Sequence, residues 1–252
     1  IKAVLLLVAA SVAISIYAML DTLMLGFQSS YQEVGYYNSA MHVIKALLPV
    51  ATSLSVVAVP RVSTYIHKGD TDKVNELMNK SLGLVSFLAF PLAIGIIMVS
   101  PSFVPLFFGN QFYGAILPMQ IASVLLLSIG LNNLNGRQVL ISVGKDREFL
   151  YSVLGGAIAN FLLNLYLIPR FGAAGAAFSS VYAETQILIV NEYFVRRYTS
   201  VRLTNFSDMC KATVGAVCFI PICSFIGMVV TDWIFISVCV IVCTLFYATS
   251  QY

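Results

Sequence analysis

The chain has 252 residues, of which 59% are hydrophobic and only 10% are charged, and its formal net charge is +3. A soluble domain carries about 25% charged residues because its surface faces water, so the composition excludes an ordinary soluble protein. The apolar residues come in blocks of roughly 17–30, which is long enough to cross about 30 Å of hydrocarbon as a helix. We therefore predict an all-α, polytopic membrane protein with about eight transmembrane helices.

The apolar blocks define the predicted spans. In chain order they are 1–27, 35–66, 81–100, 115–143, 149–168, 173–195, 210–230 and 234–250. The polar stretch from His67 to Lys80 favours a short interfacial helix between two spans over a partner-binding site. The chain starts at Ile1 in an apolar run, without the features of a signal peptide, so we expect it to be the C-terminal part of a longer protein.

Orientation follows from the distribution of lysine and arginine. Eleven of the 14 such residues fall on one predicted side and only Arg170 on the other, while Lys45 and Arg137 lie inside helices. Cytoplasmic connections are enriched in these residues. We predict that both termini and the connections 67–80, 144–148 and 196–209 are cytoplasmic.

The five cysteines are predicted to be packing residues. They are Cys210, Cys218, Cys223, Cys239 and Cys243, and they form no pair or cysteine–histidine spacing typical of a metal site. Cysteine in a packed helix behaves as a small apolar residue. We predict neither a metal nor a cofactor.

The second span carries a polar face. Asn38, His42, Lys45, Pro49 and Thr52 recur at spacings of three and four, which places them on one side of a helix. A charged residue at a helix centre costs about 2.5–3.5 kcal/mol on insertion scales, so Lys45 is expected to face a partner or water. A stripe packed against other helices is the alternative, and we favour the wall of a water-filled cavity.

Other spans repeat this pattern more weakly. The polar residues are Asp21 in the first span, Asn133 and Arg137 in the fourth, Asn160 and Asn164 in the fifth, and Ser180, Glu184 and Asn191 in the sixth. We interpret these polar faces as the lining of a central hydrophilic cavity. The run from Gly172 to Ala177 is most simply a helix start that packs closely, since small residues let backbones approach.

Three stretches carry a resemblance to a known family. The chain resembles polysaccharide repeat-unit flippases in these stretches, which are Asp21 to Phe27 with Glu33 to Ala40, Gly130 to Ile141 with Gly144 and Lys145, and Leu167 to Ala177 ending at Glu184. These flippases are the Wzx-like members of the multidrug/oligosaccharidyl-lipid/polysaccharide (MOP) exporter superfamily. The resemblance implies two six-helix lobes around a cavity, so that 1–200 is one lobe and 201–252 holds two additional helices.

The resemblance also implies a function in the cytoplasmic membrane of a bacterium or archaeon, and it is not an enzymatic one. The substrate is expected to be an undecaprenyl-pyrophosphate-linked oligosaccharide for O-antigen, capsule or exopolysaccharide. Lys45 and Arg137 are the cations available for a pyrophosphate. Sugars are expected to contact Asn38, Asn133, Asn160, Asn164 and Gln186, with His42 as a further cavity candidate. Asp21 and Glu184 are candidates for ion coupling.

Partners and alternatives follow from the same features. The candidate partners are the bilayer, the polymerase and other polysaccharide-assembly proteins. We predict no nucleic-acid partner. A drug/cation antiporter of the same superfamily remains an alternative, because the cavity candidates include two cations and two carboxylates. A membrane-embedded polymerase or ligase is disfavoured, because the longest predicted outer connection, 101–114, has no titratable side chain except Tyr113.

Overall fold

The structure is a computed structural model of the chain. It describes residues 19–199 without a gap, together with 8, 12, 15, 201, 206–221, 223, 234, 236, 238, 239 and 242. The side chains of 53–57 and 206–211 lie outside this description. The residues outside this description include most of the predicted span 234–250, the end of the predicted span 210–230 and most of 1–27 before Met19.

The described part of the chain is helical and contains no strand. In chain order it holds α1 (helical over 19–28), α2 (Tyr31–His67), α3 (Thr71–Phe108), a 3-10 turn (Asn110–Ala115), α4 (Ile116–Ala122), α5 (Leu125–Asn132), a π-helical segment (Asn133–Leu140), α6 (Asp146–Tyr198) and α7 (Phe206–Val217). The all-α prediction is confirmed, whereas the number of eight spans stays a prediction.

α1 and α2 form a hairpin with a very short turn. Ser30 caps α2, because its hydroxyl accepts a hydrogen bond from the backbone N–H of Glu33 at 3.3 Å. A turn of two residues makes the helices antiparallel neighbours. Residues at equal distances from the turn therefore meet, and this brings Tyr37 beside Asp21.

α3 is longer at both ends than the sequence pattern predicts. Residues 71–80, predicted as part of an interfacial connection, form the first turns of α3, with Asp70 as the N-cap. The helix continues without a break because Val74, Met78 and Leu82 lie on one face and are buried in a common core. At the other end α3 runs to Phe108, so the predicted connection 101–114 is also mostly helical.

α6 is a helical hairpin rather than one rod. Its 53 residues would extend about 80 Å as a straight helix, far more than a bilayer requires. The break is at Gly172, whose φ of +52° and ψ of −129° favour glycine. Past the bend the backbone returns so closely that a Cβ on Gly175 would lie 2.6 Å from the carbonyl oxygen of Leu167. The prediction of a closely packed helix start is confirmed.

The core lies between these helices in two large clusters. One, around Val62, Met78 and Leu134, packs α2, α3 and the π-helical segment together. The other, around Leu25 and Leu126, packs α1 and α5 against the bend of α6. Polar side chains lie between the two clusters and line the cavity described below.

Three stretches of the described chain are long and apolar enough to cross a membrane. They are Thr71–Phe108, Asn110–Leu140 and Asp146–Tyr198. Because α6 folds back at Gly172, its two arms match the separate predicted spans 149–168 and 173–195. The chain is thus a multi-pass membrane protein in composition and in architecture.

Candidate transport cavity

A cavity of about 320 Å³ opens between α1, α2, α5, the π-helical segment and α6. Its apolar lining includes Ile44, Leu48, Leu125, Ile129 and Ile187. Its polar lining consists of Asp21, Tyr37, Lys45, Thr52, Asn132, Asn133, Arg137, Ser180 and Glu184. Every helical segment that lines the cavity therefore contributes at least one polar group, in an otherwise apolar bundle.

Two cations project into this cavity from different helices. Lys45 comes from α2, 14 residues after its start and so about 21 Å along the helix, and Arg137 comes from the π-helical segment. Both side chains are exposed, and neither forms an ion pair with any described residue. Their charge is available to an anion that enters the cavity.

Asp21 is held in a shell of hydrogen-bond donors. The carboxylate is 1% exposed and accepts hydrogen bonds from Tyr37, Ser180 and Asn164, each at 2.6 Å. These donors come from α2 and from both arms of α6. Burying a carboxylate is costly unless it is hydrogen bonded, so four helical segments cooperate to keep this one in place.

A second buried polar group is centred on Glu184. The side-chain amide of Asn132 donates to the backbone carbonyl of Glu184 at 2.9 Å and to its Oε2 at 2.8 Å. Asn191 lies behind Asn132, with its Nδ2 3.5 Å from Asn132 Oδ1. Each of the two carboxylates, Asp21 and Glu184, thus accepts at least one hydrogen bond from a neutral donor.

Residues 2–118 match the protein family described as "Polysaccharide biosynthesis protein". The chain is 26% identical over 184 residues to the "Putative O-antigen transporter" of Escherichia coli (strain K12), an alignment that covers 73% of this chain and 44% of that protein. It is 28% identical over 177 residues to the "Probable flippase AglR" of Haloferax volcanii, covering 67% and 36% respectively. The chain spans less than half the length of these curated relatives.

Solved structures extend the similarity to the fold. The structure of lipid II flippase MurJ in an inward closed conformation matches with a TM-score of 0.82 at 15% identity, covering 96% of this chain and 51% of that one. An outward-facing MATE transporter of the MOP superfamily matches with a TM-score of 0.63 at 16% identity, covering 86% and 52%. The resemblance to polysaccharide flippases is confirmed, and the chain shares the fold of these solved transporters.

Within this MOP-type fold, the structure brings together five of the residues predicted from the sequence. Lys45, Asn133, Arg137, Asp21 and Glu184 all line one cavity. They come from four different helical segments, and their separations in the chain range from 4 to 163 positions.

Four other predicted residues do not line the cavity in this structure. Asn38 faces α1 and accepts a hydrogen bond from Thr22 at 3.2 Å, whereas His42 is exposed. Asn160 and Asn164 are fully buried behind Asp21, and Asn164 donates to Asn160 Oδ1 at 3.2 Å. The assignment of Asn38, Asn160 and Asn164 as sugar contacts, and of His42 as a cavity residue, stays a prediction.

Sequence reasoning overlooked Tyr37 and Asn132 as site residues. Tyr37 could have been found from the hairpin, because the short turn at Ser29 and Ser30 places it level with Asp21. Asn132 lies in the asparagine-rich run that drew attention to Asn133. Periodicity within one helix does not reveal which of two adjacent asparagines faces the neighbouring helix.

Proposed function

We propose that the chain is part of a flippase that moves lipid-pyrophosphate-linked oligosaccharide repeat units across the cytoplasmic membrane, for the synthesis of a surface polysaccharide. The names of its relatives support transport of this kind, and the membrane-spanning fold is compatible with it. The single observation that carries the proposal is the pair of exposed cations in a membrane-embedded cavity.

The cations account for recognition of the headgroup. A pyrophosphate is a compact dianion or trianion that needs charge-assisted hydrogen bonds when it leaves water. Lys45 supplies a point charge with three donors, and Arg137 supplies a planar group that binds two phosphate oxygens at once. Since neither is engaged in an ion pair with a described residue, binding the anion does not require a salt bridge to be broken.

The cavity also offers groups for the sugar and for an exchanged ion. Asn133 donates to the carbonyl of Ile129 at 3.0 Å, so its own side-chain oxygen remains available to a sugar hydroxyl. Asp21 is the candidate for ion coupling. Binding a proton or a sodium ion there would redistribute hydrogen bonds to Tyr37, Ser180 and Asn164, which belong to α2 and to both arms of α6.

The proposed orientation follows the distribution of lysine and arginine, with both termini in the cytoplasm. Lipid-linked oligosaccharides are assembled on the cytoplasmic side, so the cavity is proposed to collect its substrate there. We further propose that a polymerase and other assembly proteins act on the flipped product. In this role the chain binds and releases its substrate without making or breaking a covalent bond.

Complementation tests the proposal. The protein is expressed from its complete gene in a bacterial strain that lacks its own repeat-unit flippase, and surface polymer is quantified against the amount of protein in the membrane. Restoration of polymer by the wild type, and its loss in Lys45→Ala at unchanged protein level, are expected. A wild type that exports organic cations but restores no polymer in strains making several different repeat units would favour the antiporter alternative.

A further inference from the structure

The contact between Asn132 and Glu184 differs from an ordinary helix-packing contact. Both hydrogens of one amide are directed at one residue, its backbone carbonyl at 2.9 Å and its carboxylate at 2.8 Å. Asn132 is the last residue of α5, directly before the π-helical segment that carries Arg137. π-Helical turns are uncommon and frequently occur at functional sites.

From this geometry we propose that Asn132 is a positioning residue, which fixes the direction of the Glu184 carboxylate in the cavity and couples it to the segment that carries Arg137. This inference rests on the proposed transport function. Asn132 and Glu184 are each 8% exposed, and both line the cavity. Because the same amide is anchored on the backbone carbonyl of Glu184, its bond to Oε2 holds the carboxylate in one direction relative to its own helix.

The asparagine is itself supported from behind. Asn191 is fully buried on the second arm of α6, and its Nδ2 approaches Asn132 Oδ1. Its Oδ1 lies 2.6 Å from the hydroxyl of Ser152 on the first arm. Gly136 leaves room for this group, because a Cβ there would lie 3.2 Å from Asn191 Nδ2 and 2.6 Å from the ring of Phe149. The support spans the π-helical segment and both arms of α6.

The chain contains a matched control three residues further on. Asn135 also donates to a glutamate of α6, from its Nδ2 to Oε2 of Glu192 at 2.9 Å. Neither residue lines the cavity, and Glu192 is also paired with Arg196 at 2.5 Å. Asn135 and Asn132 thus share residue type, burial and a hydrogen bond to a glutamate carboxylate of α6, but only Glu184 lines the cavity.

Replacing Asn132 by aspartate gives a diagnostic pH dependence. The new carboxyl group and that of Glu184 would lie within hydrogen-bond distance, and such a pair holds one proton over a wide pH range. With that proton, the carboxyl group at 132 still donates to Glu184; without it, the two carboxylates repel each other. The other charged or titratable groups of the cavity are Asp21 on α1, Tyr37 and Lys45 on α2, and Arg137 on the π-helical segment.

The test uses purified protein from the complete gene, reconstituted in proteoliposomes with an undecaprenyl-pyrophosphate-linked oligosaccharide. Initial translocation rates are measured at acid, neutral and alkaline pH for the wild type, Asn132→Ala, Asn132→Asp, Asn135→Ala and Asn135→Asp. A hydrogen bond to a charged group commonly changes an equilibrium about tenfold or more. The translocation rate of Asn132→Ala should therefore be about tenfold below that of the wild type at every pH.

Asn132→Asp should approach the wild-type rate at acid pH and fall towards the alanine variant as the pH rises, whereas both Asn135 variants should keep the wild-type profile. Because the profile of each variant comes from one preparation, differences in the yield of folded protein cancel. Matching pH profiles for the two aspartate variants, or a wild-type rate in Asn132→Ala, would overturn this inference and leave the proposed function intact. A wild type that moves none of the lipid contradicts the proposed function, and the inference falls with it.

Discussion

Tyr37 on α2 donates a hydrogen bond of 2.6 Å to the carboxylate of Asp21 on α1. The two residues lie at similar distances from the turn at Ser29 and Ser30, so the α1–α2 hairpin places them at the same depth. Ser180, on the second arm of α6, donates to the same Asp21 oxygen at 2.6 Å. One carboxylate therefore ties α1 to two other helices at the cavity wall.

Tyr37→Phe tests this relationship. It removes one donor from a buried carboxylate and keeps the ring, so it should lower the free energy of unfolding by about 1–3 kcal/mol and reduce translocation. Tyr36→Phe is the control, since the hydroxyl of Tyr36 meets only the exposed side chain of Gln32. Thermal unfolding in detergent and transport are measured for both. Equal effects of the two substitutions would show that the hydrogen bond from the Tyr37 hydroxyl to Asp21 has no special role.

Gly172→Ala should destabilise the hairpin of α6. A Cβ at Gly172 would collide with the carboxylate of Glu33, whose Oε2 accepts a hydrogen bond of 2.7 Å from the backbone N–H of Ala173. The substitution therefore adds a collision to a backbone conformation that by itself costs about 1–3 kcal/mol for a residue with a side chain. Gly69→Ala is the control, because Gly69 also has a positive φ, of 71°, but a Cβ there meets nothing within 4 Å. The melting temperature in detergent should fall further for Gly172→Ala, and an equal fall would contradict the predicted collision.

Water should reach the cations of the cavity. Single cysteines at Lys45 and Arg137, in a background without the five native cysteines, should react with a membrane-impermeant thiol reagent applied to open membranes. Cysteines at Val43 and Leu47 should react much more slowly, because both positions pack against apolar clusters. Similar rates on both faces of α2 would remove the support for a hydrated cavity.

The proposed orientation is tested by cysteines in the two segments that flank α2, at its N-cap and at the first residue of α3. Ser30→Cys should be labelled in intact cells, whereas Thr71→Cys should be labelled only after permeabilisation, because the adjacent connections lie on opposite sides. Both positions are at caps or first turns rather than in the apolar core. The reverse labelling pattern would show that the topology is inverted relative to this prediction.

The sequence was sufficient to predict the helical class, the fold-back near Gly172 and the presence of a polar level in the membrane, because length, apolar blocks and small residues determine these directly. It misplaced the start of α3, since it assigned Val74 and Met78 to a separate interfacial helix, whereas they continue the buried face of α3. It also assigned Asn38 to the cavity, where the structure shows a contact with Thr22 on α1. The rotation of a helix about its axis depends on its neighbours, which the periodicity of a single helix does not reveal.

The most direct test of the central claim is the transport rate of the protein without its cavity cations. The protein from the complete gene is reconstituted with a lipid-pyrophosphate-linked oligosaccharide, and wild type, Lys45→Ala, Lys45→Arg and the double variant Lys45→Ala with Arg137→Ala are compared at equal amounts of folded protein. If the cations bind the pyrophosphate, the double variant should lose nearly all translocation, and Lys45→Arg should retain part of it because the charge is kept. A double variant that folds normally and translocates the lipid at the wild-type rate would contradict the account.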